Sequence, residues 1–221
     1  MNAIGRISTG GVFAEYPIPN TSTYPWDIAA GPDGNLWFTE YVGGNIGRMT
    51  TEGVITEYPG GYAPYGITSG PDGNLWFAEL SGNAISKMTI QGAVTRYAIP
   101  TPGSAPIDIT VGPDGNLWFT ESSGNKIGRI TTGGVITEYL VPTVGSAPYG
   151  IAAGPDRNLW FTEAFGTKIG RITTGGAITE YPIPTLGSGP KAITPGPDRN
   201  LWFAEQSGNQ IGAVRPSTTT R

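Results

Sequence analysis

A repeat of about 42 residues runs through the whole chain. The tripeptide Leu-Trp-Phe recurs with its leucine at Leu36, Leu75, Leu117, Leu159 and Leu201, so the successive intervals are 39, 42, 42 and 42 residues. A period of this length is typical of folds in which each repeat forms one supersecondary unit and packs against its neighbours. The chain must therefore fold as a series of five similar units.

Four short segments of strand-like composition lie within one period, which we take from Pro148 to Pro190. They read Tyr-Gly-Ile-Ala-Ala, Asn-Leu-Trp-Phe-Thr-Glu, Lys-Ile-Gly-Arg-Ile-Thr and Ala-Ile-Thr-Glu-Tyr, and turn residues such as Gly-Pro-Asp separate them. Helical periodicity is missing, and four strands per period are typical of a β-propeller blade. The sequence predicts an all-β, five-bladed β-propeller with four antiparallel strands per blade, formed by residues 1–215 as one domain.

The two ends of the chain predict how this ring closes. The chain opens on a third blade strand, Ile4–Ile7, continues with a fourth at Val12–Tyr16, and ends on another third strand, Ile211–Val214. We expect Val12–Tyr16 to pair with Ile211–Val214, which hides two sheet edges and displaces one of the two third strands. Such a ring is expected to be monomeric. Residues 216–221 are expected to form a disordered tail.

The alternative is that the chain forms part of a larger propeller. In that case Trp and Phe side chains on blade faces would remain exposed, and the protein would oligomerise.

Composition excludes several classes of function. The 221 residues include no His and no Cys, which removes histidine bases, thiol nucleophiles, structural zinc and disulfides. A formal net charge of -4 argues against a nucleic-acid partner, because phosphate binding relies on clustered Lys and Arg. No apolar run is long enough for a membrane helix, so we expect no membrane partner. A secretory signal is not recognisable, which slightly favours a cytoplasmic location.

The blade sequence resembles a known enzyme family. From Gly112 to Tyr139 the chain reads Gly-Pro-Asp-Gly-Asn-Leu-Trp-Phe-Thr-Glu, then Gly-Asn-Lys-Ile-Gly-Arg-Ile-Thr, then Val-Ile-Thr-Glu-Tyr. This pattern, repeated along essentially the whole chain, resembles the blades of the virginiamycin B lyase, or streptogramin lyase, family. The resemblance implies a seven-bladed propeller enzyme that linearises cyclic depsipeptide antibiotics by elimination, using a His base, a second His, a nearby Glu and Mg²⁺.

The residues that the family uses for this chemistry are not found here. The family's histidines follow the proline that opens a blade, and those positions are Trp26, Tyr65, Ile107, Tyr149 and Lys191. The positions for the nearby Glu are Tyr24, Ala63, Ala105, Ala147 and Gly189. Lys191 is the one candidate for a replacement base, and it would need burial or a cationic neighbour to reach a useful pKa.

Three functional hypotheses remain open. The first is a non-catalytic binding or scaffold protein without a cofactor, natural or engineered. The second is a streptogramin B lyase with a non-histidine base and Mg²⁺. The third is a propeller that binds cations or glycans.

Two groups of residues are candidates for a site. The loops between fourth and first strands share one face with the loops between second and third strands. An aromatic rim on this face is predicted to hold a small molecule or peptide, or else to plug the channel; it consists of Trp26, Tyr24, Tyr65 and Tyr149, with Asp27, Asp108 and Lys191 beside it.

The second group has one carboxylate per blade, at the end of each second strand. Its members are Glu40, Glu79, Glu121, Glu163 and Glu205. We expect these glutamates to bond to backbone N–H groups or to an Arg of the repeat such as Arg129. Binding of Mg²⁺ or Ca²⁺ is the weaker alternative.

Overall fold

The computed structural model describes residues 2–216, in which 21 strands alternate with turns. In chain order the strands are β1 (Ala3–Ile7), β2 (Phe13–Pro17), β3 (Pro25–Ala30), β4 (Leu36–Glu40), β5 (Asn45–Met49), β6 (Ile55–Pro59), β7 (Pro64–Ser69), β8 (Leu75–Glu79), β9 (Ala84–Met88), β10 (Val94–Ala98), β11 (Pro106–Val111), β12 (Leu117–Glu121), β13 (Lys126–Ile130), β14 (Ile136–Leu140), β15 (Pro148–Ala153), β16 (Leu159–Glu163), β17 (Lys168–Ile172), β18 (Ile178–Pro182), β19 (Pro190–Pro195), β20 (Leu201–Glu205) and β21 (Gln210–Val214).

These strands form six antiparallel sheets. Four sheets have four strands each, and we call them blades 1 to 4: β3–β6, β7–β10, β11–β14 and β15–β18. The N-terminal hairpin is the two-stranded sheet β1–β2, and blade 5 is the three-stranded sheet β19–β21. The prediction of an all-β propeller with four antiparallel strands per blade is therefore confirmed for four blades, whereas the fifth is incomplete in the described part of the chain.

Each blade repeats one packing scheme. The Trp of the second strand stacks on the Tyr of the fourth strand in all four complete blades, with ring centres 5.5 to 5.7 Å apart. The indole N–H of the same Trp donates to the Asp of the preceding Gly-Pro-Asp turn, at 3.0 Å in blade 1 (Trp37 to Asp33). The opposite face of the next blade covers the Trp, as when Trp118 packs against Leu159 and Phe161. Local turn chemistry and blade stacking thus explain why Leu-Trp-Phe recurs.

The predicted ring closure is not formed. Phe13–Pro17 pairs with Ala3–Ile7 in a tight hairpin, and Gln210–Val214 pairs with β20 alone among the described strands. The two third strands consequently do not compete for one position. The hairpin forms because its pairing is local, whereas the predicted closing pair joins the two ends of the chain. Phe13 and Ile211 stay 76% and 68% exposed, which is the exposure that a partial propeller predicts.

Little of the predicted tail lies within the described residues. Pro216 follows the last strand, outside any regular element, and is buried. Residues 217–221, like Met1, lie outside the described part of the chain, so the expected disorder there stays a prediction. In residues 2–216 we find no helix of the length and hydropathy that crossing a membrane requires.

Candidate functional site

A cavity of about 150 Å³ lies where the first strands of the blades meet. The first strands are neighbours around a common axis, in the order β3, β7, β11, β15 and β19. The cavity is lined by Trp26, Asp27, Tyr65, Gly66, Ile107, Asp108, Tyr149, Gly150 and Ala192. Five of the seven residues that the sequence predicts for an axial site therefore line this one cavity, which we call the axial cavity.

Aromatic rings form one wall of the axial cavity and cross it. The Trp26 and Tyr65 rings are 4.2 Å apart between centres, and Tyr41 contacts Tyr65 edge-on at 5.7 Å. The Tyr65 and Tyr149 hydroxyls hydrogen-bond to each other at 2.9 Å, joining blade 2 to blade 4. Burial raises the pKa of Tyr65, so its hydroxyl remains neutral and able to donate. The tyrosines partly plug the axis, while Trp26, which is 53% exposed, leaves one side open.

The two aspartates connect adjacent first strands. Asp27 accepts the backbone N–H groups of Ile28 at 2.8 Å and Ile67 at 2.9 Å. Asp108 accepts two equivalent N–H groups, at 2.8 Å each, from its own strand and from blade 4. Burial, together with the negative charge of Asp27, raises the pKa of Asp108 to about 7. Asp108 is therefore close to its point of ionisation at neutral pH.

Glycine occupies the position equivalent to these aspartates in blades 2 and 4. A Cβ at Gly66 would lie 2.7 Å from the carbonyl oxygen of Ile107, and one at Gly150 would lie 2.5 Å from that of Lys191. The backbones of adjacent first strands therefore come too close there for a side chain. This alternation of Asp and Gly restricts the axial carboxylates to two blades.

Lys191 lies beside the axial cavity. Its Nζ is 4.0 Å from the ring centre of Tyr149, a cation–π contact. Burial lowers the pKa of Lys191. Lys191 therefore has the burial that a catalytic lysine base requires. Its position beside Tyr149 agrees with the sequence-based assignment to the axial face.

Tyr24 is the predicted aromatic residue that does not reach the axial cavity. It precedes Pro25 and has a φ of 51°, in the left-handed region, and its side chain is 65% exposed. It lines a separate surface pocket with Asn2 and Ser22. Tyr41 contacts Trp26 and Tyr65 instead. Tyr41 could have been found from the sequence, because it directly follows Glu40 in a loop on the axial face, at a position where the repeat is variable.

The five glutamates lie within their own blades and do not converge. In the complete blades each is fully buried, and the middle residue of the fourth strand lies near it across the third strand. This second residue, which the sequence reasoning missed, is Glu57, Arg96, Glu138 or Glu180 in blades 1 to 4. Three blades thus hold a pair of carboxyl groups, and one holds an ion pair.

The blade 2 glutamate is fully satisfied. Glu79 accepts from Nε of Arg96 at 3.1 Å, from the backbone N–H of Tyr62 at 3.1 Å and from the hydroxyl of Ser86. In blade 3, by contrast, neither carboxylate oxygen of Glu121 has a partner. Burial, and then the charge of Glu138, raises the pKa of Glu121 to about 8. Arg96 occurs in blade 2 alone and is not the Arg of the repeat. That residue, Arg129 in blade 3, donates to the carbonyl oxygen of Thr174, so the predicted pairing with it is not formed.

A Mg²⁺ ion of the kind that the family resemblance implies does not fit the axial residues. Both carboxylates at the axis already accept two backbone N–H groups each. Within residues 2–216 no three acidic or histidine side chains come together as metal ligands would. The axial site therefore offers aromatic faces, hydroxyls and an amine rather than a metal centre.

Comparison with known proteins identifies the family. A sequence model of the Virginiamycin B lyase family matches residues 1–62. A catalytically inactive His-to-Ala variant of virginiamycin B lyase from Staphylococcus aureus, solved with quinupristin, is 46% identical; the match covers 98% of this chain and 75% of that chain, with a TM-score of 0.95. A streptogramin B lyase structure is 41% identical over 98% of this chain and 77% of that chain, with a TM-score of 0.90.

More distant structures share the fold alone. A putative gluconolactonase is 13% identical over 97% of this chain and 82% of that chain, with a TM-score of 0.69. A search of curated protein sequences gave no significant match. At 46% identity over three quarters of the lyase from Staphylococcus aureus, this chain belongs to the virginiamycin B lyase family.

Proposed function

We propose that this chain is a non-catalytic member of its family that binds a small molecule or peptide at the axial cavity. The observation that carries the proposal is the set of side chains at the five positions after the blade-opening prolines. These are Trp26, Tyr65, Ile107, Tyr149 and Lys191, and the sequence contains no histidine. Loss of a positioned general base typically costs roughly a hundred- to ten-thousand-fold in rate. Three aromatic side chains, an isoleucine and a lysine thus stand where the family resemblance implies histidines.

The axial cavity supports binding of a planar group. Trp26 offers an exposed ring, and the tyrosine hydroxyls and Lys191 offer polar contacts around it. The cavity of about 150 Å³ is smaller than the roughly 300 Å³ at which pockets for drug-sized ligands begin. A bound molecule would therefore insert one ring or side chain between Trp26 and Tyr149, and the rest of it would lie over the rim.

A lyase that uses Lys191 as its base is the second candidate. The lowered pKa of Lys191 and its place at a post-proline position favour it. Against it stand the single basic side chain at the site and the poor fit of the axial residues to Mg²⁺. For the proposed binding protein we expect no cofactor.

Incubation with a streptogramin B antibiotic separates the two functions. We expect mass spectrometry to detect no linearised product, and calorimetry to detect binding that Trp26→Ala abolishes. Val144→Ser, on an exposed loop away from the axial cavity, is the matched control and should bind normally. A linear product that disappears in Lys191→Ala would instead establish the lyase. Binding that Trp26→Ala leaves unchanged would exclude the axial cavity as the site.

A further inference from the structure

The turn between the second and third strands of each blade contains one residue in the left-handed region of the backbone. In blades 2 and 3 this residue is Asn83 and Asn125, with a φ of 51° and 54°. Asparagine tolerates this region, because its short polar side chain forms local hydrogen bonds. In blade 4 the residue is Thr167, with a φ of 51°. A β-branched side chain is an outlier there, so blade 4 stores backbone strain of the kind found at switch regions.

The asparagine also holds the loop that leads to the next blade. In blade 3 the side-chain amide of Asn125 donates to the carbonyl oxygens of Val141 and Thr143, both at 3.0 Å. Its side-chain oxygen accepts the backbone N–H of Ser146 at 2.8 Å and the hydroxyl at 2.9 Å. Asn83 of blade 2 makes the same four bonds to its own loop. One side chain thus secures the whole loop at four points.

The blade 4–5 loop, which comprises residues 184–189, lacks this attachment. Thr167 has no amide, and among the described residues it makes a single bond to this part of the chain, from the N–H of Ile183 to its carbonyl oxygen at 3.0 Å. Ser188, the equivalent of Ser146, is fully buried, and no described group pairs with its hydroxyl. A buried hydroxyl without a partner costs free energy, which opening of the loop to water recovers.

The side of the blade 4–5 loop that faces blade 5 keeps its bonds. The carbonyl oxygen of Ser188 accepts the N–H groups of Ser207 and Gly208, at 2.9 and 3.2 Å, and equivalent bonds hold the loop between blades 3 and 4. Gly189 follows with a φ of 55°, where the loops before blades 2, 3 and 4 have alanine. Glycine adopts this angle at no steric cost. The loop therefore has a defined closed position, but it is released from blade 4 and can turn at its last residue.

Lys191 connects this loop to the axial cavity. The register of β19 and β20 shifts between Pro190 and Ile193, so Lys191 lies outside the regular ladder. Its carbonyl oxygen accepts the hydroxyl of Thr162 at 2.7 Å, and its amine lies 4.0 Å from the ring centre of Tyr149. Because only the rigid Pro190 separates the loop from Lys191, turning of the loop displaces the amine from the tyrosine ring.

The residue after Lys191 is also less firmly held than its equivalents. In blade 4 the hydroxyl of Thr162 accepts the backbone N–H of Gly150 at 2.9 Å, and threonines make the same bond in blades 1 and 3. In blade 5 the position of this threonine is Ala204, so the N–H of Ala192 has no such acceptor. The start of β19 thus has one attachment fewer than the starts of β3, β11 and β15.

We propose that the blade 4–5 loop is a gate of the axial cavity. In the closed state the amine of Lys191 covers the ring of Tyr149. In the open state the ring face is available to a ligand, and the hydroxyl of Ser188 reaches water. The unpaired hydroxyl and the absence of the four asparagine bonds lower the free-energy cost of opening, relative to the loops that follow blades 2 and 3. The gate rests on the proposed binding function, because it controls access to the same cavity.

Thr167→Asn restores the attachment and is the variant that tests the gate. We expect it to slow hydrogen exchange of the backbone amides of residues 185–189 at least about tenfold, since up to four hydrogen bonds are gained. It should also slow acetylation of Lys191 by acetic anhydride at least about threefold, because the amine reacts when the gate is open. Lys87, which pairs with Asp72 in blade 2, is the internal reference and should react at an unchanged rate.

The mirror variant Asn125→Thr checks that the asparagine is the cause. It should speed exchange of residues 143–147 at least about tenfold and leave residues 185–189 unchanged. In the unaltered protein, residues 185–189 should already exchange at least about tenfold faster than residues 143–147. Peptide mass spectrometry after deuterium labelling of the full chain, without ligand, measures all of these rates.

Two results would overturn the gate. One is equal exchange of residues 143–147 and 185–189 in the unaltered protein. The other is a Thr167→Asn variant in which exchange of the loop slows but acetylation of Lys191 does not, because the loop would then move without uncovering the cavity.

These measurements need no ligand, so failure of the gate and failure of the binding function are separate results. A streptogramin B antibiotic that does not bind would count against the binding function alone. Where it does bind, Thr167→Asn should weaken its affinity, because the ligand then has to open a more stable gate. An unchanged affinity would overturn the role of the loop in access.

Discussion

Blades 2 and 4 share the same strands, the same registers and the same buried glutamate, yet they surround that glutamate differently. Glu79 of blade 2 forms an ion pair with Arg96 at 3.1 Å. Glu163 of blade 4 lies near Glu180, and neither of its carboxylate oxygens has a partner. Lys168 lies 3.0 Å from Glu180 and compensates one of the two charges. The comparison shows that the same blade backbone accommodates either an arginine or a second carboxyl group beside the buried glutamate.

The two blades differ in the protonation of their buried glutamate. Burial, followed by the charge of Glu180, raises the pKa of Glu163 to about 7. In blade 1, burial, followed by the charge of Glu57, raises the pKa of Glu40 to about 7. The pKa of Glu180 is lowered by its hydrogen bonds to Thr143 and Lys168. In blades 3 and 4 one carboxyl group of the pair thus favours the protonated form and the other the ionised form. Protonation of the buried glutamate thus removes the charge that Arg96 compensates in blade 2.

The largest effect that we expect is a loss of stability with rising pH. A glutamate with a pKa raised in the folded state stabilises it fully below about pH 4.5 and loses this contribution as the pH rises through about 7 to 8. The free energy of unfolding should fall between pH 5 and pH 9, by at most about 3 kcal/mol for each of the carboxyl pairs in blades 1 and 4 and about 4 kcal/mol for the pair in blade 3. Urea unfolding at each pH measures this.

Three glutamine variants test whether the carboxyl pairs cause this pH dependence. Glu138→Gln and Glu180→Gln remove the second carboxyl group from blades 3 and 4, so the curve should become flatter, whereas Arg96→Gln should not flatten it. A free energy of unfolding that is constant from pH 5 to pH 9 in the unaltered protein would contradict the raised pKa values of these glutamates.

Repetition in the sequence was sufficient to predict the blades. The Leu-Trp-Phe tripeptide, the Gly-Pro-Asp turn and the fourth-strand Tyr occur at fixed spacing, and each makes a local contact that recurs in every complete blade. Ring closure could not be predicted in the same way, because it depends on the small rotation between successive blades summed over the whole chain. The carboxyl pairs were missed for a related reason. Glu163 and Glu180 are on different strands, and their proximity requires the strand register and a glycine between them.

The second prediction converts blade 2 to the pattern of blade 4. Arg96→Glu places a second carboxylate beside Glu79, and Ala84 occupies the position of the compensating lysine. We expect the free energy of unfolding to fall by about 3 kcal/mol at pH 8, since the buried Glu79 loses its ion-pair partner and gains a like charge in its place. At pH 5 the loss should be smaller because one group is protonated. Thr95→Glu, on the exposed neighbouring residue, is the control and should change little; equal losses for both variants would refute the argument.

The third prediction transfers the blade 2 arrangement to blade 1. Here Glu40 and Glu57 form a pair like that of blade 4, but Asn45 stands where blades 3 and 4 have lysine. Glu57→Arg should provide Glu40 with an ion-pair partner and raise the free energy of unfolding at pH 8 by about 2 kcal/mol. Chemical unfolding at pH 8 and pH 5 measures the gain, which should shrink at the lower pH. A variant that is less stable at both pH values would show that the blade 1 interior cannot accommodate the guanidinium group.

The smallest expected effect comes from the turn between the first two strands, where the two blades differ again. Blade 2 has Gly73 with a φ of 73°, and blade 4 has Arg157 with a φ of 61°, in the left-handed region that side chains other than Gly rarely adopt. The backbone N–H of both residues makes the same 3.2 Å hydrogen bond to the turn carbonyl, so the turn itself is unchanged. Arg157→Gly should therefore relieve backbone strain and stabilise the protein by about 1 kcal/mol, or about 2–4 °C in Tm.

Gly73→Arg should cost a similar amount in blade 2, because a Cβ there meets open space and only the φ opposes it. Thermal unfolding of both variants at pH 5, where Glu40, Glu121 and Glu163 are protonated, isolates this contribution. Shifts of the same sign in the two variants would show that the backbone angle does not determine the difference.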